Sequence, residues 1–419
     1  MKGRLRRAAG DPVFDRYRDT FLSGSSTLYP RIAVYAGSGA SHSWIWFADI
    51  LERLGLFDVR FIDESSVKNP GLSGFDAFFI GGGDTYETAS SLGEDGARAI
   101  EGFVREGGFY FGSCAGAYLV LSGVDLEPFT PFNLIDGGML NTMAAPPEPR
   151  CLEHKYKSAY GDGWVFHPVY GEVTLALRYR KAGLRVNAPI FGGPVIGEAL
   201  PDEVLAEYSG FTERAAYLWP RREAEELMMG RAAVLRSKLD GGDVVVSGPH
   251  LEHPLYPAAN AVAADVLQAH CAERPRRVIK PSRSSMSNGD AALFLKEIKR
   301  QVSNARIVGF GLEKMPVAWQ LGRKVWEPEK IRMFLDCAWE RLPFLEEHEE
   351  LMGPSGELEP LANGYANVTR FSKSLKMRIE SGQDSQAEAS GLLLPLKELT
   401  ARFLSLYFRL RLETQFGRD

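Results

Sequence analysis

The sequence predicts an α/β fold whose mostly parallel sheet is covered on both faces, followed by an all-helical module. Three observations lead there. Short apolar runs alternate with helical patterns from Arg31 onward. Two of those runs end in glycine-rich turns, Gly81-Gly82-Gly83 and Gly112-Ser113-Cys114-Ala115-Gly116. Beyond Asp290 the helical period dominates. At 419 residues the chain is long for one domain. The boundaries read from it are an N-terminal extension over 1–30, an α/β domain over 31–273 and a helical domain over 274–419.

The elements follow in order. "RIAVYAG" (31–37) is a buried strand ending in glycine, and Ile45, Ala48, Leu51 and Leu54 give the next segment a helical stripe. "DVRFID" and "FDAFFIGGG" are two further strands, and "GARAIEGFVREGG" (96–108) is an amphipathic helix stopped by glycines. Gly107 to Phe111 makes the next strand, and a helix is expected from Ala115. Strands joined by helices imply right-handed crossovers, and in such sheets reactive groups collect beyond the carboxyl ends of the strands. Residues 123–170, rich in proline and glycine, read as an irregular insertion over the sheet. Shorter strands follow in "GEVTLALRYR", "EVLAEYSG", "AAYLWP", "RAAVLRSKL" and "DVVVSG", and the helix "PAANAVAADVLQAHCAE" closes the domain. "RPRRVIKPSRSSMSNGD" reads as a solvated linker. Two apolar stripes then mark core-facing helices: Ile331, Phe334, Leu335, Ala338 and Leu342, and Leu396, Leu399, Phe403, Tyr407 and Leu410.

Composition excludes several classes of function. The chain is 45% hydrophobic and 25% charged with a formal net charge of −5, which points to neither nucleic acid nor an acidic membrane surface. Cys114, Cys151, Cys271 and Cys337 are scattered without a C-x-x-C pair, so neither a disulfide framework nor a zinc site is expected. The basic first residues lack the apolar core of a signal peptide, and no apolar run reaches about 18 residues. A cytoplasmic, soluble protein without metal or cofactor is expected.

The chemistry-bearing signal is G-x-C-x-G, a thiol between glycines where a strand meets a helix, the form of a nucleophile elbow. The glycines matter because the central residue of such a turn is strained, and side chains beside it collide with the adjoining strand and helix. A buried structural cysteine is the alternative. A free thiol is only a few per cent thiolate at neutral pH and needs a base. His250 and Glu252 follow the strand "DVVVSG" and, two apart in extended backbone, point the same way. A carboxylate on one imidazole nitrogen fixes the tautomer, so Cys114, His250 and Glu252 form a candidate catalytic set. The alternative has His250 capping the strand and Glu252 in solvent. In "IGGGDTYE" bare amides of Gly82 or Gly83 can join that of Ala115 in an oxyanion hole. The pattern matches neither phosphate-cradling glycine motif. A helix N-terminus at Cys114 favours thiolate. Asp84, Thr85, Tyr86 and Tyr118, with Glu87, are candidates to line the substrate pocket. His253 either flanks His250 or substitutes for it, and His42 and His167 are either structural or reach the site from loops.

"FFIGGGDTYE", "GGFYFGSCAGAYL" and "VVVSGPHLEHP", in this order, resemble the class I glutamine amidotransferase-like superfamily. Within it the chain is similar to the domain at the N-terminus of some biotin-protein ligases, where G-G-G-D-T-Y and G-x-C-A-G-A-Y recur. The resemblance covers residues 31–273. It implies a flavodoxin-like doubly wound sheet and a triad of Cys114, His250 and Glu252, and it sets Gly192 and Gly193 of "NAPIFGGPVI" over the site. Tyr118 stands where glutaminase members carry the glutamine that helps hold substrate. No ligase signature and no synthetase domain accompany the motifs, and residues 274–419 carry no recognisable family motif.

Two readings follow. The first is a thiol-dependent hydrolase or amidotransferase acting on a small-molecule or peptide-like amide through a thioester. The second is a non-catalytic binding or regulatory protein that keeps the fold and pocket. In either, the helical module packs on the first domain or serves self-association or a partner protein.

Overall fold

The computed structural model describes residues 12–22, 30–121, 127–141, 168–180, 183–197, 199–200, 203–217, 220–272, 290–352 and 356–416. Cys151, His167 and the linker stretch 274–289 lie outside them. Helix α1 (Pro12–Leu22) precedes the sheet. The parallel strands β1 (Ile32–Tyr35), β2 (Val59–Ile62), β3 (Ala77–Ile80) and β4 (Phe109–Ser113) are joined by helices α2 (Trp44–Arg53), α3 (Glu64–Lys68) and α4 (Thr85–Arg105), and α5 (Ala115–Val120) follows β4. Every residue of β1, β3 and β4 is buried, which is why these strands read as unbroken apolar runs rather than alternating ones.

The chain then adds β5 (Val169–Leu177), β6 (Arg185–Ile190), β7 (Val204–Phe211), β8 (Ala216–Tyr217), α6 (Arg221–Met228), β9 (Ala232–Leu239), β10 (Gly242–Ser247) and α7 (Pro257–Ala272). Spatial order is β2-β1-β3-β4-β10-β9-β7-β5-β6, with β8 paired to β5. The first five strands are parallel in the flavodoxin-like order, and the remaining strands extend the sheet in antiparallel pairs. The fold is the doubly wound α/β class that the motifs implied, followed by a helical region.

One element differs in extent from its reading. The helix expected over 96–108 begins at Thr85, because the Asp84 carboxylate accepts the Glu87 amide at 3.2 Å and caps the first turn. Gly93, at φ 57°, interrupts it and hides the shared axis from a periodicity reading.

Helices α8 (Asp290–Leu312), α9 (Pro328–Glu347), α10 (Leu358–Glu380) and α11 (Gln386–Phe416) make the C-terminal module, with a hairpin of β11 (Trp319–Leu321) and β12 (Lys324–Trp326) between α8 and α9. Both apolar stripes read from the sequence are buried. The modules share one continuous core: Phe408 of α11 packs on Phe57 and Phe61, and Phe334 of α9 on Trp44. Polar contacts pin the same boundary. Arg341, 1% exposed, lies 2.6 Å from Asp49 and 2.9 Å from Glu52 of α2, and Tyr407 donates to Glu52 at 2.5 Å. No helix among the described residues is long and apolar enough to cross a membrane.

Arg341 is therefore the polar centre of the docking. Arg341→Ala leaves two carboxylates facing each other over an apolar boundary, and urea unfolding should show a loss of about 3 kcal/mol. A loss below about 0.5 kcal/mol would show that the ion pairs do not hold the modules together.

Candidate active site

Sheet order assembles the site. Because β4 and β10 are parallel neighbours, with Ser113 paired to Ser247, the residues that follow each strand emerge side by side. The Cys114 amide donates to the Ser247 carbonyl at 2.9 Å, closing the turn. Cys114 sits at φ 51°, ψ −107°, a conformation that a side chain rarely adopts. Its neighbours have no room for side chains. A Cβ on Gly112 would stand 2.3 Å from the Gly116 carbonyl oxygen, and one on Gly116 would stand 2.2 Å from that of Ile80.

His250 follows β10, and its amide donates to the Pro189 carbonyl of β6 at 2.8 Å. Its Nδ1 lies 2.7 Å from Glu252 Oε1, which also accepts the Ser113 hydroxyl at 2.7 Å. With Nδ1 occupied, Nε2 is the nitrogen left for Cys114, and a side-chain hydrogen bond joins the two residues. Trp46 stands edge-on to the His250 ring at 5.3 Å, and Phe191 packs beside it at 5.6 Å. Exposure is 7% for Cys114, 3% for His250 and none for Glu252.

Burial and charge act against each other here. Burial pushes the Cys114 thiol up, but the His250 hydrogen bond, the His250 charge and the Lys324 charge outweigh it and hold the thiol below its ordinary value. Burial pushes the His250 imidazole down, yet the Glu252 charge and the bonds to Cys114 and Glu252 raise it to about 10. Both shifts run in the direction that favours a thiolate–imidazolium pair over a neutral thiol and imidazole. His253 is held down to about 3 by burial and by the nearby His250 charge, and its ring packs on Trp46 at 4.4 Å. His42 is also driven low by burial, its Nδ1 lying 2.9 Å from the Ser41 hydroxyl.

The glycine turn after β3 abuts this pair. A Cβ on Gly82 would stand 2.7 Å from His250 Cε1, so only glycine fits against the imidazole. The amides of Gly82, Gly83 and Ala115 donate no hydrogen bond among the described residues.

The remaining pocket candidates have partners of their own. Asp84 caps α4 and accepts the Arg323 amide at 2.7 Å. Thr85 is buried, its hydroxyl 3.5 Å from the Ala115 carbonyl. Tyr86 donates to the Glu127 carbonyl at 3.3 Å while the Arg323 guanidinium lies 3.6 Å over its ring. Glu87 is exposed on α4. Tyr118 is buried, and its hydroxyl accepts from Asn141, whose other side-chain atom accepts the Val195 amide. That link ties the helix after the cysteine turn to the Gly192–Val195 segment, and Gly193 lies against the Gly248 carbonyl.

Sequence reasoning missed three participants. Ser113 carries no signature beyond its place beside the cysteine, and Trp46 reads as one more core aromatic. Lys324 had a signal: Gly322-Arg323 between two short β-patterned runs marks a two-residue hairpin, and Gly322 sits at φ 60°. Through it the C-terminal module places Lys324 Nζ 3.5 Å from the Gly83 carbonyl.

Residues 30–132 match the family described as biotin-protein ligase, N terminal, a span that includes the glycine turn and Cys114 but neither His250 nor Glu252. An uncharacterised protein from Chlamydia muridarum (strain MoPn / Nigg) is 29% identical over 161 residues, 38% of this chain and 53% of its own length. The match thus spans about half of that curated relative. A β-galactosidase from Bacillus circulans sp. alkalophilus aligns with 59% of this chain and 32% of its own at 16% identity and a TM-score of 0.34. A protein described as one component of a GMP synthase, from Thermoplasma acidophilum, aligns with 58% of this chain and 94% of its own at 14% identity and a TM-score of 0.34. Neither structural likeness bears on function, and the fold rests on the strand order above.

The charge balance at Cys114 predicts its reactivity. Alkylation by iodoacetamide, followed by peptide mapping, should begin well below the pH of about 8.5 at which a free thiol ionises. Removing the imidazole leaves burial as the dominant effect, so His250→Ala should move the onset upward. Cys337, pushed up to about 12 by burial, should stay silent in the same experiment. A Cys114 onset at or above a pH of about 8.5 would refute an activated thiol.

Proposed function

We propose that the protein is a thiol-dependent hydrolase or amidotransferase acting on a carboxamide-like bond. The observation that carries this reading is the contact of a strained, glycine-flanked Cys114 with a His250 whose far nitrogen is held by a buried Glu252. The amidotransferase-like fold and the family match over residues 30–132 agree with it.

In this reading the Cys114 thiolate attacks the amide carbon, and the carbonyl π pair moves to oxygen. Amides of Ala115 and of Gly82 or Gly83 receive the oxyanion. His250, protonated at Nε2, gives that proton to the leaving nitrogen as the C–N bond breaks, releasing an amine or ammonia and leaving a thioester on Cys114. Water or an acceptor amine then attacks the thioester, His250 takes its proton, and the C–S bond breaks to regenerate the thiolate–imidazolium pair. Glu252 keeps Nδ1 occupied and stabilises the imidazolium throughout.

The second reading, a binding protein that keeps the fold without turnover, is favoured by the low exposure of Cys114 and by Tyr118 at the position of the glutaminase glutamine. One experiment separates the two. The protein is incubated with L-glutamine, L-asparagine and a panel of N-acyl peptide amides, and released amine and intact mass after acid quench are recorded. A thioester adduct on Cys114 with amine release is expected. Cys114→Ala should abolish both, His250→Ala should reduce turnover about 10³-fold or more, and Glu252→Gln should cost less. Full activity in Cys114→Ala, or no adduct and no turnover across the panel, would overturn the catalytic reading.

A further inference from the structure

A cavity of about 1120 Å³ lies between the two modules, beside the hairpin, and Cys114, His250 and Glu252 take no part in its walls. Its floor is the loop after β1 (Ala36–Ala40), the end of β2 and Asp84 after β3; its roof is α11 and the hairpin. It therefore sits beyond the carboxyl ends of β2, β1 and β3, where the strand order reverses, the place at which open parallel sheets take ligands. Pockets that enclose small molecules typically measure about 300–1,000 Å³.

The charges lining it are not equally engaged. Asp63 caps α3, Glu64 accepts both the amide and the hydroxyl of Ser38, and Asp84 caps α4. Glu357 pairs with Arg409, and the other two acids on the wall, Glu87 and Glu398, are exposed. Lys397, 6% exposed, is held to the Gly37 carbonyl at 2.7 Å. Arg60 and Arg402 are different: among the described residues neither makes a hydrogen bond or an ion pair. Arg60 is half-buried on β2, where burial and the Arg31 and Arg409 charges weigh against its own, Asp58 and Glu413 opposing them from a distance. Leu394 and Leu406 give the same wall an apolar surface, and Leu394 is 48% exposed. Arg402 is exposed, and an unpaired guanidinium that lines a cavity is matched by an anion with planar or tetrahedral oxygens.

We propose that this cavity is a binding site for a small organic anion, a phosphate or carboxylate on an apolar body, with Arg60 and Arg402 holding the charged group and Leu394 and Leu406 the body. Cys114 lies outside the site.

The test uses the full-length protein and three probes of similar body: phenyl phosphate, phenylacetate and, as a cationic control, benzylamine. Saturable binding is measured by the rise in melting temperature and by ligand-observed NMR at fixed ionic strength. At least one of the two anions should bind and benzylamine should not, and the stronger anion distinguishes a phosphate site from a carboxylate site. Arg60→Gln with Arg402→Gln should weaken binding tenfold or more. Arg402→Glu alone, an exposed change that leaves the core intact, should do the same. Cys114→Ala should bind as the parent does. Failure of both anions to saturate, binding that survives both arginine variants, or binding lost in Cys114→Ala would overturn the proposal.

Discussion

Backbone crowding where β3, β4 and α5 meet leaves Cys114 very little freedom. The Gly116 backbone lies so close to the Ile80 carbonyl, and Gly112 so close to Gly116, that any side chain there would displace main chain rather than a neighbouring rotamer. With its amide also bound to Ser247, the cysteine is held at positive φ between two fixed strands. Such strain persists only where the surroundings over-determine it, and here the all-buried strands β3, β4 and β10 supply that rigidity. The thiol is thereby aimed without any side-chain contact of its own doing the aiming.

The electrostatics depend on the same closeness. A carboxylate with no solvent exposure is costly unless its oxygens are engaged, and Glu252 Oε1 is engaged twice, by His250 and by Ser113. Its Oε2 has no partner among the described residues, so Glu252 is tied to the imidazole rather than dispersed over a wider network. That undiluted charge explains why His250 is raised although it is buried, and the raised imidazolium in turn explains why the buried Cys114 is lowered.

The helical module is part of this arrangement rather than an appendage. Lys397 holds the loop after β1, whose Ser41 amide in turn bonds the Gly82 carbonyl, while Lys324 and the Arg323 amide hold Gly83 and Asp84. Both loops that flank the glycine turn are thus fixed from the C-terminal side. The shared core makes that hold stiff, since Phe408 and Phe334 pack directly on the α/β domain.

The sequence by itself determined what depends on local pattern. Unbroken apolar runs such as "AVY" and "AFFI", ended by glycine, read as strands buried on both faces, the stripes of α9 and α11 read as core-facing helices, and the glycines around Cys114 read as a tight turn. Cys114, His250 and Glu252 were legible because each stands just beyond a strand end. Tertiary structure alone decided the rest. That β10, the tenth strand in sequence, lies beside β4 is a matter of sheet order, and it brings His250 to the thiol across more than a hundred residues. No periodicity reports the partners of Asp84 and Tyr118, which are used up by the hairpin and by Asn141. Lys324 and the cavity behind it arise where the C-terminal helices meet the sheet, and a contact between segments distant in the chain leaves no trace in local spacing.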